Sequence, residues 1–295
     1  MRGAHPERAL LDAIERGGVV RAGERVLVAC SGGPDSVALA GALASLAKPL
    51  DLSLALAYVH HGTRASAWQD ECVVLRIAAT FGLPARTVSI EGEGLDEAGL
   101  RAARYEALAA VASVTGATAV ATAHHAEDQS ETVLLALFRG TGSAGLAGMP
   151  GRRELAAGID LIRPLLAAPA EELREYCHAE GLPYAVDPSN ADDELRRNAV
   201  RRALDGLRPL FPGLDAAIAR AAGLAADEAG GTCRAALRRQ VREALQADSS
   251  LKDVTFAHVE AAAIALERGG SGRFYMKDRV ALVIERGDLR IETDG

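Results

Sequence analysis

Residues 31–36, Ser31-Gly32-Gly33-Pro34-Asp35-Ser36, place two adjacent glycines, a carboxylate and two hydroxyls in one short run. Glycines let a backbone approach a phosphate closely. No Lys precedes the final hydroxyl residue, so the run is not a Walker loop. G-x-G-x-x-G is absent, so it is not a dinucleotide fingerprint either. Asp35 stands where a cation would be expected beside a phosphate. A carboxylate there is unfavourable unless a metal ion lies between the two. The local chemistry is therefore a pyrophosphate cradle for ATP, with Mg²⁺ held partly by Asp35. Ser31, Gly32, Gly33, Pro34, Asp35 and Ser36 are its candidate ATP-binding residues. The alternative is an ordinary strand–helix turn with Asp35 or Ser36 as the helix cap.

Four more groups carry usable chemistry. His60-His61-Gly62-Thr63-Arg64 ends an apolar run. Neighbours on a strand face opposite ways, so the two histidines are poor joint metal ligands, whereas Arg64 would suit a phosphate. Arg101, Arg104 and Tyr105 share one helix face by spacing, either as solvated surface or with a guanidinium aimed at a triphosphate. In A-H-H-A-E-D-Q-S-E-T at 123–132, Glu127 and Asp128 suit a helix N-terminus. Asp128 and Glu131 also lie three apart, and such a pair would bind a cationic substrate or a second metal ion. The segment 196–202 holds Arg196, Arg197, Arg201 and Arg202. It is either a solvated helix face or a clamp for a phosphate backbone.

These groups need elements to hold them. The apolar run 26–30 reads as a buried parallel strand, and 37–46 as the helix leaving the glycine turn. Further strands are expected at 52–59, 85–90 and 118–122. Helices are expected at 8–18, from a Ser66/Gln69 capping box to 82, at 97–115 and at 127–138. Strands alternating with helices predict an α/β fold with a doubly wound parallel sheet, whose ligands lie at the strands' carboxyl ends. Residues 139–150 read as a long glycine-rich loop, 151–168 as two extended pieces, 169–181 as a helix and 186–192 as a turn-rich link. Helices are then expected at 197–207, 213–247 with a break at Gly230-Gly231, and 255–268. Candidate strands follow around 273–277, 280–285 and 289–292. The expected domains are 1–200, binding ATP, and 201–295, smaller, mainly helical, with a terminal strand pair.

Composition is that of an ordinary globular chain, 49% hydrophobic and 25% charged over 295 residues. Aromatics are only 4%, so the core must rest on Ala, Leu and Val. No apolar run reaches the roughly 18 residues of a membrane span. The first residues lack the pattern of a secretory leader. Cys30, Cys72, Cys177 and Cys233 form no C-x-x-C pair and suggest no metal framework. A cytoplasmic protein without a membrane partner is expected. The net charge is −7, yet 196–245 carries ten Arg against five acids. Local basicity of that kind can bind phosphates on an acidic protein.

S-G-G-P-D-S after a strand resembles the pyrophosphate loop of the N-type ATP pyrophosphatases, the PP-loop superfamily. The fuller series resembles the tRNA(Ile)-lysidine synthetase family. It comprises H-H-G-T-R at 60–64, R-A-A-R-Y at 101–105, A-H-H-A-E-D-Q-S-E-T at 123–132, R-G-T-G at 139–142, G-L-A-G-M at 145–149, R-P-L-L at 163–166, D-P-S-N at 187–190 and R-R-N-A-V-R at 196–201. Members usually carry N-H-G-L-R where this chain has His60 and Thr63. They carry two Asp where it has Glu127 and Asp128, and often an aromatic near Leu195. Long members have a further C-terminal domain, for which this chain is expected to be too short.

The resemblance implies an adenine-nucleotide-hydrolase-like fold and ATP-dependent joining of free L-lysine to the wobble cytidine of a tRNA(Ile) with a CAU anticodon. ATP and Mg²⁺ are the implied cofactors, and a homodimer is a permitted assembly. It implies Asp35, Arg104 and His125 as catalytic residues, with Arg104 on the α-phosphate and His125 orienting the reacting groups. Asp128 and Glu131 would hold the lysine ammonium, and Arg197, Asn198 and Arg201 the tRNA. The competing readings are another PP-loop tRNA-modifying or amide-forming enzyme, or a non-catalytic nucleotide-binding regulator. The missing C-x-x-C counts against sulfur transfer. The basic segment and the 139–150 loop count against the regulator.

Overall fold

The computed structural model describes the chain apart from residues 1–5, 61–66, 91–93, 95, 186–194, 231–232, 248–255, 269–270, 278–279, 286–287 and 294–295. The expected Ser66 cap, the 61–64 segment and the 186–192 link lie outside the described residues. Two compact units emerge, Met1–Arg139 with Gly148–Arg220, and Gly140–Ala147 with Ala221–Gly295.

The first unit follows the order α1 (Pro6–Gly17), β1 (Arg25–Ala29), α2 (Pro34–Ala47), β2 (Ser53–His60), α3 (Ala67–Phe81), β3 (Ala85–Ser89), α4 (Glu97–Thr115), β4 (Ala119–Ala121) and α5 (Ala126–Phe138). The four-residue α6 (Ser143–Leu146) intervenes, and then come β5 (Arg152–Ala156), β6 (Ile159–Ile162), α7 (Ala170–Ala179) and α8 (Leu195–Leu207). The sheet order is β3-β2-β1-β4-β6-β5. All pairs are parallel except β5–β6, a hairpin whose outer strand runs antiparallel. This is the doubly wound α/β sheet the alternation predicted, with one antiparallel edge.

Strand alternation splits the core in two. Val26, Val28, Leu54, Leu56, Ala119 and Ala121 pack against helices α1, α2, α3 and α7 through Leu10, Leu43, Ile77 and Tyr176. Leu27, Ala57, Val120 and Leu161 pack against Leu108 and Ala112 of α4 on the other face. Helix α2 is buried along most of its length, from Ser36 to Leu43 and again at Leu46. That environment suits its Ala- and Gly-rich sequence, which has no polar face to offer. At Gly41 a Cβ would stand 2.7 Å from Leu182 Cδ1 and 3.1 Å from Tyr176 Cε1, so α7 and the chain after it seat directly on α2.

The second unit holds α6, the end of α9 (Leu214–Gly230), α10 (Cys233–Ala247) and α11 (Phe256–Glu267). Strands β7 (Gly272–Lys277), β8 (Val280–Glu285) and β9 (Asp288–Thr293) form an antiparallel sheet in the order β7-β8-β9. The expected strand pair is thus a three-stranded meander. Its core joins Val241, Leu245, Val259 and Ala262 to Leu282 and Ile284. Arg238, only 5% exposed, is paired there with Asp227 and Glu260. The glycine-rich stretch expected as a loop contains α6, closed by Gly145 and Leu146 amides donating to Gly142 O. The division between units falls inside α9, so α8 lies wholly in the first unit.

Candidate active site

The turn 31–36 joins β1 to α2. Gly32 has φ +87°, and a Cβ there would stand 2.9 Å from Asp70 O of α3, so only glycine fits without a shift. Gly33 has φ −74° and ψ 163° and no side-chain cap on α2. Pro34 occupies the first turn of α2, where its missing N–H costs nothing. The first helical bond runs from Val37 N to Gly33 O. Amides ahead of it have no intrahelical acceptor and make an anion-binding end. Ser36 is buried and braces the turn from inside. Its Oγ donates to Gly33 O (2.9 Å) and accepts from Ser31 N (3.1 Å). Ser36, expected among the ATP-binding residues, thus shapes the cradle through its hydroxyl.

Asp35 meets the residues that follow β4. His125 is the N-cap residue of α5, and its backbone N–H donates to the Asp128 carboxylate (3.1 Å). Its Nε2 lies 3.7 Å from Asp35 Oδ2 and 3.5 Å from Asp128 Oδ2, and its Nδ1 is 2.8 Å from Glu127 Oε2. Burial disfavours the imidazolium. The Glu127 hydrogen bond and the charges of Asp128 and Asp35 more than offset that and push His125 up to about 9. Asp35 is raised, first by burial and then by Asp128 and Glu127, against the pull of His125 and Arg174. Asp35 Oδ1 is buried with no hydrogen-bond partner. Glu127 has a structural duty as well. It accepts from Ala170 N at 3.0 Å and so fastens the start of α7.

Among the described residues no group of three His, Cys, Asp or Glu forms a protein-only metal cage. Mg²⁺ does not need one, because it usually takes one or two carboxylates and completes its shell with water and substrate phosphates. The orphaned Asp35 Oδ1 fits that demand.

His124 has the opposite character to His125. Its Nδ1 is 3.0 Å from Thr122 Oγ1. Burial, then the charges of Arg163, Arg101 and Arg197, push it down to about 3, so it is neutral. The sequence reading singled out His125 and passed over His124 and Arg163. Only the quoted R-P-L-L motif marked Arg163.

Glu131 departs from the role expected of it. It is 2% exposed. Its carboxylate accepts from Arg197 Nε (2.9 Å), Arg201 Nε (2.7 Å) and Arg201 Nη2 (3.3 Å). Both oxygens are thereby committed inside the protein rather than offered to a lysine ammonium. Burial alone would raise Glu131, but Arg201 and Arg197 hold it below the usual carboxylate range. The same contacts change the reading of Arg197 and Arg201. They join α8 to α5, and Arg197 Nη2 also lies 3.8 Å from Asp128 Oδ1, so within the protein they act as struts. Asn198 sits half-buried beside them in α8. Arg104 is exposed on α4, whereas Arg101 of the same helix turns to Tyr105 (Nη2 to hydroxyl oxygen, 3.1 Å).

With this geometry in hand, known proteins are informative. A family model described as a PP-loop domain matches residues 5–206. The tRNA(Ile)-lysidine synthase of Salinispora tropica is 47% identical over 207 residues, covering 68% of this chain and 62% of that protein. That of Geobacter sulfurreducens is 39% identical over 289 residues, covering 94% and 59%. That of Ralstonia nicotianae is 41% identical over 211 residues, covering 69% and 45%. The chain therefore spans about half the length of the curated relatives it matches. Among solved structures, the U34-tRNA thiolase NcsA of Methanococcus maripaludis superposes with a TM-score of 0.64 at 18% identity, over 73% of this chain and 77% of that one. That likeness is one of fold.

Proposed function

The chain belongs to the PP-loop domain family, and from that premise we propose that it uses ATP to adenylate the wobble cytidine of a tRNA(Ile) with a CAU anticodon and then joins free L-lysine to it. The observation that carries this reading is the meeting of the glycine turn at α2 with Asp35, His125 and Asp128 at the carboxyl end of the sheet. The names of the curated relatives supply the substrate class.

In the first step the cytosine carbonyl oxygen attacks the α-phosphorus of ATP. A new P–O bond forms, the α–β bridging bond breaks, and pyrophosphate leaves. Turn amides of Gly32, Gly33, Asp35 and Ser36 hold the departing phosphates, already oriented before charge develops on them. Asp35 would hold Mg²⁺, since its buried Oδ1 has no hydrogen-bond partner within the protein. Mg²⁺ supplies charge neutralisation at the leaving pyrophosphate when bound. Arg104 reaches the α-phosphate from α4, as a planar guanidinium suits. His125, fixed by Glu127 and Asp128, orients the reacting groups. In the second step the lysine ε-amine attacks the activated ring carbon, and AMP leaves. Asp128 receives the lysine ammonium group. Glu131 serves indirectly, by anchoring Arg201 and Arg197, the latter beside Asp128.

Pyrophosphate release tests the first step on its own. The protein with ATP, Mg²⁺ and a tRNA(Ile) CAU transcript is expected to release pyrophosphate, and release is expected to fall to background when the wobble cytidine is replaced by uridine. Release indifferent to tRNA would contradict the reading.

A further inference from the structure

Three guanidinium groups gather around Tyr105 on the α4 face of the sheet. Arg101 donates to the Tyr105 hydroxyl, and its Cζ lies 5.2 Å from the ring centroid. Arg153, the second residue of β5, stands with its Cζ 5.6 Å from the same ring. Arg163, just past the end of β6, hydrogen-bonds Tyr105 as well. Strand alternation explains the grouping, because Arg153 is in register with Leu161, which faces α4. Arg152 faces the other way and is answered by Glu24 and Asp160.

The cluster has no such answer. Among the described residues no carboxylate lies within ion-pair distance of Arg101, Arg153 or Arg163. Arg163 is 3% exposed, and one of its donors reaches Pro150 O at 2.7 Å, but its Nε is buried with no partner. Burial, together with Arg153 and Arg101, holds Arg163 below the usual guanidinium range despite Tyr105. The neighbouring imidazole, His124, is neutral and so adds no further charge. Like charges brought together without a counter-ion repel, and an anion bound among them removes that cost.

We infer that Arg101, Arg153 and Arg163, assembled on Tyr105, form a phosphate-binding site distinct from the glycine turn, and that it takes a backbone phosphate of the RNA substrate. The inference rests on the tRNA reading given above. The chemistry recognised is a phosphate oxygen, which Arg forks bind with paired hydrogen bonds. RNA is favoured over ATP for two reasons. The nucleotide already has a cradle at α2, and an aromatic ring flanked by Arg is a surface on which an unstacked base can rest. Positioned at the carboxyl end of β6, the site would hold the strand while its cytosine reaches the nucleotide.

The test measures affinity for a tRNA(Ile) CAU transcript across several salt concentrations, alongside ATP affinity and a melting curve. The variants are the double Arg101→Gln/Arg153→Gln and the single Arg153→Gln. The single change lies on an exposed strand position and guards against misfolding in the double. The double variant is expected to weaken tRNA binding and to shallow the log–log salt slope by roughly one to two units, and the single by about half that. ATP affinity should stay unchanged. A raised ATP dissociation constant with an unchanged salt slope would assign the site to the nucleotide and overturn the inference. An unchanged slope and unchanged ATP affinity in folded variants would overturn it as well. If the unmodified protein shows no salt-dependent tRNA binding, the tRNA reading falls and this inference falls with it.

Discussion

Replacing Glu131 should destabilise the protein, because its carboxylate is the shared acceptor for two arginines of α8. Breaking a fully buried ion pair by removing one partner costs about 3–5 kcal/mol. Here Glu131 is 2% exposed, whereas Arg197 and Arg201 are 20% and 35% exposed. The stranded guanidinium groups recover part of their hydration, so the expected loss for Glu131→Ala is about 2–4 kcal/mol. For a unit of this size each kcal/mol moves the melting temperature by roughly 2–4 °C, so the drop should be roughly 4–16 °C. The sign of the pH dependence follows from the depressed folded-state value of Glu131. A depressed carboxylate stabilises fully above its unfolded value, near 4.5, and loses that contribution as pH falls through the folded one. Melting curves of the wild type and Glu131→Gln should therefore differ at pH 7 and converge as pH falls below about 4.5. The paired change Arg197→Ala/Arg201→Ala should lower stability too, with the salt slope of tRNA binding unchanged. A fully stable double variant with a slope shallower by one or two units would refute the strut and restore a phosphate clamp.

Other consequences follow from the same geometry. Asp35→Asn should cut pyrophosphate release on the order of 10²-fold or more while leaving the melting curve intact; near-normal release at ordinary Mg²⁺ would remove the metal role. Gly32→Ala forces a Cβ against Asp70 O at positive φ and should cost about 1–3 kcal/mol, whereas Gly33→Ala, with Ser31 Oγ 3.7 Å away, should melt normally and show its effect in ATP affinity. Asp128→Asn should raise the apparent lysine requirement more than the ATP requirement, and steady-state titration of each substrate decides this, with a change confined to ATP counting against the assignment.

The strands were legible because burial on both sides demands apolar runs. Residues 26–30 and 118–122 are such runs, and the observed β1 and β4 fall within a residue of them. The edge hairpin was harder, since β5 is R-R-E-L-A, half-exposed and charged. Short glycine-rich α6 carries no periodicity at all. In the site, residue types announced the chemistry of the turn and of the acids after β4. Pairing was hidden, because it depends on which helices pack. Glu131 and Arg197 are distant in sequence and meet only where α5 lies on α8. His124 and His125 are adjacent and chemically identical in the sequence. Burial and the arginines make one neutral, while Glu127, Asp128 and Asp35 charge the other. Arg163 was legible only as part of a motif, because its burial beside Tyr105 comes from the β6 register against α4.

The most direct measurement is mass spectrometry of nucleosides released from a tRNA(Ile) CAU transcript after incubation with the protein, ATP, Mg²⁺ and lysine. The account predicts that the wobble cytidine gains the mass of one lysine less one water, only when ATP and lysine are both present, and that Asp35→Asn abolishes the gain. An unmodified cytidine in the presence of folded protein and hydrolysed ATP would contradict it.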